Sequence, residues 1–155
     1  MTHADLVQRA AKWLRSRGCG VVLTERASAA VEVPDAIGWK WGQSHVVECK
    51  VSRSDFRADL KKPWHTVGLG CYRWFLTPEG LLTAADIPDG YGWLECADGR
   101  TRKRIEAARR DGRSEQREIH LLVSELRRYQ LHGITYPPLT INKVRGSGSP
   151  QEEHP

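Results

Sequence analysis

Two acidic residues and a lysine lie in a valine-rich part of the sequence, in a pattern that could bind a metal ion. Asp35 follows Pro34, and Glu48-Cys49-Lys50 comes thirteen residues later. Because side chains alternate along a β-strand, Glu48 and Lys50 should point to the same face of a sheet. A short hairpin would bring Asp35 beside them.

Unpaired charges among apolar strands cost several kcal/mol unless a cation or a partner compensates them. Carboxylate oxygens select Mg²⁺ or Mn²⁺, and magnesium usually takes one or two carboxylates together with water and phosphate oxygens. Asp35 and Glu48 supply two carboxylates. A metal held there could activate a water for attack on a phosphodiester, with Lys50 orienting or deprotonating that water or stabilising the transition state. The alternative is a surface ion pair of Glu48 with Lys50 and an exposed turn at Asp35.

The elements that must position these residues follow from the hydrophobic pattern. The spacing predicts an amphipathic helix over residues 4–17, with Thr2 as its N-cap and Gly18 as its stop. Three strands are predicted at residues 19–25, 30–39 and 44–51, arranged as a meander. Ser52 or Ser54 can cap a second helix that ends near Lys62.

The second half of the chain continues the mixture of strands and helices. Strands are predicted at residues 72–77 and 91–96, followed by a turn at Asp98-Gly99. A closing helix is predicted over residues 115–132, packing on the domain through Ile119, Leu122, Val123, Leu126 and Tyr129. The fold class is therefore α/β, with one domain over residues 1–133 and a flexible tail over residues 134–155.

The string from Pro34-Asp35 to Glu48-Cys49-Lys50, preceded by Glu25 and followed by a helix, resembles the PD-(D/E)XK nuclease superfamily. That superfamily has a restriction-endonuclease-like core of the order α-β-β-β-α-β, a small mixed sheet flanked by helices. The longer string that runs through residues 51–59 and on to residues 68–74 resembles small phage and bacterial proteins related to the MmcB-like DNA repair group. The resemblance covers about 60% of the chain.

The resemblance implies a role for each matching residue. Asp35 and Glu48 would bind Mg²⁺ or Mn²⁺, the Cys49 carbonyl would be a further ligand, and Lys50 would be the catalytic lysine. Glu25 is the expected additional acid, both as a ligand and as a catalytic residue. Its rival is Glu32, which in a regular strand would face away from Asp35. The implied activity is hydrolysis of DNA in repair, recombination or phage genome processing.

The charge of the chain favours a polyanionic partner such as DNA. The 24 basic residues exceed the 19 acidic residues by five, and residues 99–113 alone carry seven basic and two acidic residues. The candidate phosphate-contacting residues are Arg53, Arg57, Lys61, Arg100, Arg102, Lys103 and Arg104. A solvated basic face is the alternative for both groups.

Other function classes are disfavoured or left open. The sequence has no run of about 18 uncharged apolar residues and no signal-peptide pattern, so we expect a cytoplasmic protein that does not enter membranes. The four cysteines are widely spaced and are predicted to be reduced core residues. An inactive nuclease-fold DNA-binding or adaptor protein is the main alternative function, and a protein-interaction module is a third. A homodimer is left open.

Overall fold

Six strands form one mixed sheet in which every strand lies beside its predecessor in the chain. The computed structural model describes residues 1–27 and 32–133. The strands are β1 (Val21–Thr24), β2 (Ala36–Lys40), β3 (Gln43–Cys49), β4 (Tyr72–Pro78), β5 (Gly92–Ala97) and β6 (Arg100–Ile105). The α-helices are α1 (His3–Ser16), α2 (Arg53–Asp59) and α3 (Glu115–Leu131). The predicted α/β class is confirmed, whereas the predicted tail lies outside the described residues.

The strand directions place several strand ends at one end of the sheet. Strands β1, β2 and β3 are antiparallel neighbours, which confirms the predicted meander. Strands β3, β4 and β5 are parallel, so their carboxyl ends lie together. The strand predicted over residues 30–39 begins only at Ala36, because residues 32–35 are irregular and residues 30 and 31 lie outside the described part of the chain.

Helix α1 covers one face of the sheet. Its N-terminus is capped as predicted: the Asp5 amide donates to the Thr2 hydroxyl at 3.2 Å, and the Thr2 amide donates to the Asp5 carboxylate at 2.8 Å. Gly18 follows the helix with a φ of 89°, a conformation that favours glycine. The helix buries Leu6, Val7, Ala10, Ala11 and Leu14, and the larger of these side chains contribute about 1.5–3 kcal/mol each.

Helices α2 and α3 lie against the opposite face. Ser52 caps α2 by accepting a hydrogen bond from the Asp55 amide, and Phe56 packs edge-to-face on Phe75 of β4. The α-helix ends at Asp59, three residues before the predicted end at Lys62, and its last turn is followed by a short 3₁₀ turn. This face of the sheet also carries the side chains of Glu48 and Lys50.

The prediction of which face of α3 packs on the sheet is wrong. The predicted contact residues are largely exposed: Ile119, Val123, Leu126 and Tyr129 expose 57%, 46%, 48% and 39% of their surface. The buried residues are Glu118, Leu121 and Glu125. Glu118 is stabilised there because it accepts hydrogen bonds from Trp39, Ser44 and Gly70.

The basic segment after β5 folds into an edge strand that the sequence analysis did not predict. Asp98 and Gly99 form the predicted turn, both with positive φ, and β6 then pairs antiparallel with β5. All four cysteines are buried and free, as expected for reduced core residues. In the part of the chain that the structure describes, no helix is long and apolar enough to cross a membrane.

Candidate active site

Asp35 and Glu48 meet at the end of the sheet where β2 begins and β3 ends. The last paired residues of these strands are Ala36 and Val47, so Asp35 and Glu48 are the next residues on the two chains. An Asp35 carboxylate oxygen accepts a hydrogen bond from the Cys49 amide at 2.7 Å. Burial, with Asp35 as a second cause, raises the pKa of Glu48 to about 7, and burial also raises the pKa of Asp35. Lys50 and Arg73 lower the pKa of Glu48 but do not outweigh burial.

Lys50 points to the same face as Glu48, as strand alternation requires. Its Nζ atom lies 3.4 Å from a Glu48 oxygen and 3.4 Å from an Asp59 oxygen, and the residue is 4% exposed. Burial lowers the pKa of Lys50, but Glu48 and Asp59 outweigh burial and hold that pKa above its ordinary value. Lys50 is therefore an ammonium ion, suited to stabilising negative charge rather than to taking a proton from water.

Asp59 is a site residue that the sequence analysis missed. It lies at the end of α2, is fully buried, and contacts Lys50, Lys62 at 3.0 Å and His65 at 3.3 Å. Burial opposes its ionisation, but the His65 hydrogen bond and the two lysines hold the pKa of Asp59 below its ordinary range. The other ring nitrogen of His65 lies 2.5 Å from the Tyr91 hydroxyl. Asp59 therefore provides a fixed negative charge behind Lys50.

Glu32, one of the two candidates for the additional acid, is fully engaged elsewhere. One of its oxygens lies 2.5 Å from an Arg73 nitrogen, and the other accepts a hydrogen bond from the Leu69 amide at 2.7 Å. Arg73 is completely buried, and its second terminal nitrogen lies 3.5 Å from Glu48. Arg73 therefore compensates the negative charge of two buried acids. This role of Arg73 was not predicted from the sequence.

Glu25, the other candidate, lies on the same side as Asp35. Its carboxylate is 3.7 Å from His3 Nε2, which is itself 3.4 Å from an Asp35 oxygen. Glu25 is among the charges that raise the pKa of Asp35, and its own side chain is 59% exposed. The structure thus groups Glu25, rather than Glu32, with Asp35. His3 was not predicted because it comes from the first turn of α1.

Cys49 contributes to the site through its backbone. Its thiol is buried in the core beneath α1, and burial raises the thiol pKa far above its ordinary value. The thiol is therefore neither a metal ligand nor a nucleophile here. The backbone carbonyl is the atom for which the sequence analysis predicts a role.

The two acidic residues at this site, Asp35 and Glu48, fit a cation that takes few protein ligands. Among residues 1–27 and 32–133, no group of three or more His, Cys, Asp or Glu side chains is arranged to hold a metal ion. Asp35 and Glu48 together offer two carboxylates, and one buried oxygen of Glu48 has no hydrogen-bond partner among the described residues. Two carboxylates are a complement that Mg²⁺ completes with water molecules.

The predicted phosphate-contacting residues separate into paired and unpaired groups. Arg53 binds Asp86 at 2.6 Å, which breaks the expected stripe on α2. On β6, Arg104 binds Glu95 at 2.7 Å, Lys103 binds Glu106, and Arg102 lies 3.9 Å from Asp98. Within the described residues, Arg57, Lys61 and Arg100 have no hydrogen-bond or ion-pair partner.

Comparisons with known proteins show the fold but no activity. A solved structure of a protein of unknown function from Silicibacter pomeroyi is similar to this chain with a TM-score of 0.66 and 22% sequence identity. The similarity covers 86% of this chain and 92% of that protein. No protein-family model matches the chain, and no curated protein matches it. The mixed sheet with flanking helices is thus a fold that both proteins share.

The raised pKa of Glu48 predicts that the contribution of this residue to the free energy of unfolding falls as pH rises. Because the folded state holds this proton up to about pH 7 while an ordinary glutamate releases it near 4.5, folding binds protons between these values. The free energy of unfolding should therefore lose on the order of 3 kcal/mol from Glu48 between pH 4 and pH 8. Because burial lowers the pKa of His45 to about 4, deprotonation of His45 should add stability over part of the same range. The Glu48 contribution is therefore the difference between the urea-unfolding pH profiles of wild type and Glu48→Gln.

Glu79→Gln is the matched control, because Glu79 is exposed and should leave the pH dependence of wild type unchanged. Parallel pH profiles for wild type and Glu48→Gln would show that Glu48 is not the responsible group.

Proposed function

We propose that this chain is a metal-dependent nuclease that hydrolyses phosphodiester bonds in DNA. The observation that carries the proposal is the meeting of Asp35 and Glu48 at adjacent strand ends, with the Lys50 ammonium 3.4 Å from Glu48. Burying these three charges costs stability, and a hydrophobic sheet does not require them. A function that uses two carboxylates and an ammonium explains their presence.

Asp35 and Glu48 would hold Mg²⁺ or Mn²⁺, with the Cys49 carbonyl as a further ligand and Glu25 as the additional acid. A bound ion would supply an activated water and offset the charge of the phosphate. Lys50 stabilises the negative charge that develops on the phosphate during attack, because its pKa keeps it protonated. Asp59 is a positioning residue that holds the Lys50 ammonium beside Glu48.

The order of elements supports a restriction-endonuclease-like core. The chain runs α1, β1, β2, β3, α2 and β4, and the acids lie on the central β2–β3 hairpin. This agrees with the layout of the PD-(D/E)XK superfamily, which the motif itself resembles. We therefore propose membership of that superfamily, related to the MmcB-like DNA repair group, with a role in repair, recombination or phage genome processing.

The formal charge of +5 and the unpaired Arg57, Lys61 and Arg100 favour a nucleic-acid substrate over a neutral or cationic one. The test is cleavage of labelled single-stranded, duplex and branched DNA with Mg²⁺, with Mn²⁺ and with a chelator. We expect cutting that requires the metal and that differs among the three substrates. An Asp35→Ala preparation purified in the same way controls for contaminating nucleases, because cutting by a contaminant would persist in it. Arg127→Ala, at an exposed position on α3, should cut like wild type.

Calorimetric titration with Mg²⁺ gives a readout independent of cleavage, and bound Mg²⁺ should also weaken the pH dependence assigned to Glu48. Absence of cutting and of Mg²⁺ binding, with salt-sensitive DNA binding retained, would replace the proposal with a DNA-binding protein that does not cut. Absence of any nucleic-acid binding at physiological salt would favour a protein-interaction module.

A further inference from the structure

A groove of about 720 Å³ lies between α1 and the turn that joins β5 to β6. Its walls include Arg9, Lys12, Trp13, Gly99, Arg100 and Thr101. The volume is within the range of small-molecule sites, about 300–1,000 Å³. None of the residues proposed for metal binding or catalysis lines this groove.

Positive charge dominates the groove. Within the described part of the chain, Lys12 and Arg100 have no ion-pair or hydrogen-bond partner. One terminal nitrogen of Arg9 donates to the Gly99 carbonyl at 2.7 Å, which fixes the guanidinium and leaves its other donors available. The single acid in the groove, Asp5, already accepts a hydrogen bond from the Thr2 amide. Unpaired cations in a concave surface focus a positive potential that attracts anions.

The groove lies at the same end of the sheet as the candidate site but on the face that α1 covers, whereas Glu48 and Lys50 point to the opposite face. Strands β3 and β5 are both parallel to β4, so the turn after β5 and the Glu48 end of β3 are on one side. At about 4.8 Å between neighbouring strands, β5 and β6 lie roughly 10–15 Å from β3. Helix α1 also begins beside Asp35, where His3 contacts it.

We propose that this groove binds phosphate groups of a DNA strand that passes around this end of the sheet from the position occupied at Asp35 and Glu48. Arg9, Lys12 and Arg100 contact the backbone without reading its sequence. The phosphate-binding property follows from the groove alone. The choice of a DNA strand over a free nucleotide, which offers the same phosphate chemistry, rests on the proposed function.

Binding without metal tests the groove separately from cleavage. Fluorescence anisotropy of labelled single-stranded and duplex oligonucleotides, in chelator and at several salt concentrations, compares wild type with the Lys12→Ala/Arg100→Ala double variant. Loss of two phosphate contacts should weaken binding about tenfold and reduce the slope of log affinity against log salt by about two. Both residues are exposed, so the urea midpoint should stay at its wild-type value.

The control is Arg15→Ala/Arg127→Ala, which removes the same charge from two exposed residues that do not line the groove. If the control reduces the salt slope as much as the groove variant does, or if neither variant does, the groove is not the binding site.

A second arm titrates an adenosine monophosphate competitor. Displacement of DNA by the mononucleotide at equal affinity would identify a free-nucleotide site and overturn the strand proposal. Groove-dependent binding without cleavage would uphold this inference and reject the nuclease.

Discussion

Replacing Lys50 with alanine should slow metal-dependent DNA cleavage by about 100-fold or more, while DNA affinity changes little. The Lys50 ammonium lies 3.4 Å from Glu48 in a buried setting, where its charge acts strongly on a phosphate that becomes more negative during attack. In the proposed function, DNA binding would depend mainly on exposed cations elsewhere, which this change leaves in place. Single-turnover cleavage rates, measured with enzyme in excess, separate the chemical step from binding.

Asp35→Ala should produce a different defect, because it removes a proposed ligand: Mg²⁺ binding and cleavage should both be lost. Lys50→Gln serves as a second variant if alanine prevents folding, since glutamine keeps hydrogen-bond donors near Glu48 and Asp59. Full cleavage activity in a folded Lys50 variant would remove this residue from the mechanism.

Replacing Arg73 with methionine should lower the free energy of unfolding by about 3–5 kcal/mol. Arg73 is completely buried and lies 2.5 Å from Glu32 and 3.5 Å from Glu48, which are 2% and 5% exposed. Methionine fills much of the volume but leaves Glu32 without its cation. Urea unfolding at neutral pH measures the change.

Arg102→Met is the control for Arg73→Met, because Arg102 lies 3.9 Å from Asp98 and both side chains are exposed, by 46% and 86%. A surface pair of this kind contributes about 0–1 kcal/mol, so this variant should be almost as stable as wild type. Adding Glu32→Gln to Arg73→Met should restore part of the lost stability. Equal effects of the two arginine substitutions would show that the buried network does not stabilise the fold.

The part of the site that the sequence could predict is the part that depends on local geometry. Alternation along β3 requires Glu48 and Lys50 to share a face, and the structure brings their charged atoms within 3.4 Å. The capping residues Thr2 and Ser52 were likewise predictable, because a cap acts over three residues. The β2–β3 hairpin then places Asp35 beside Glu48.

The remaining site residues depend on contacts between distant parts of the chain. Arg73 and Glu32 are 41 residues apart, and no local pattern marks either as a buried partner of the other. The sequence did not distinguish Asp59 from other acids on a solvated helix, yet the fold places it against Lys50. His3 reaches Asp35 only because α1 begins at that end of the sheet.

The orientation of α3 shows a limit of hydrophobic periodicity. The pattern identified an apolar face correctly as a sequence feature, but Glu118 packs inward because Trp39, Ser44 and Gly70 satisfy its oxygens. Polar partners supplied by other elements can thus outweigh the preference for burying apolar surface. Strand β6 was not predicted for a related reason: its pairing comes from β5, not from its own composition.

The sequential order of the strands has a consequence for how the sheet can grow. Each strand pairs with the one made just before it, so a chain emerging from the ribosome can extend the sheet in one direction from β1. The final edge belongs to β6, which carries Arg100, Arg102, Lys103 and Arg104. Among the described residues no further strand pairs with β6, and its four basic side chains, three of which have acidic partners, disfavour pairing with the same edge of another molecule. The sheet therefore ends at β6, and the outer edge of this strand is protected against aggregation.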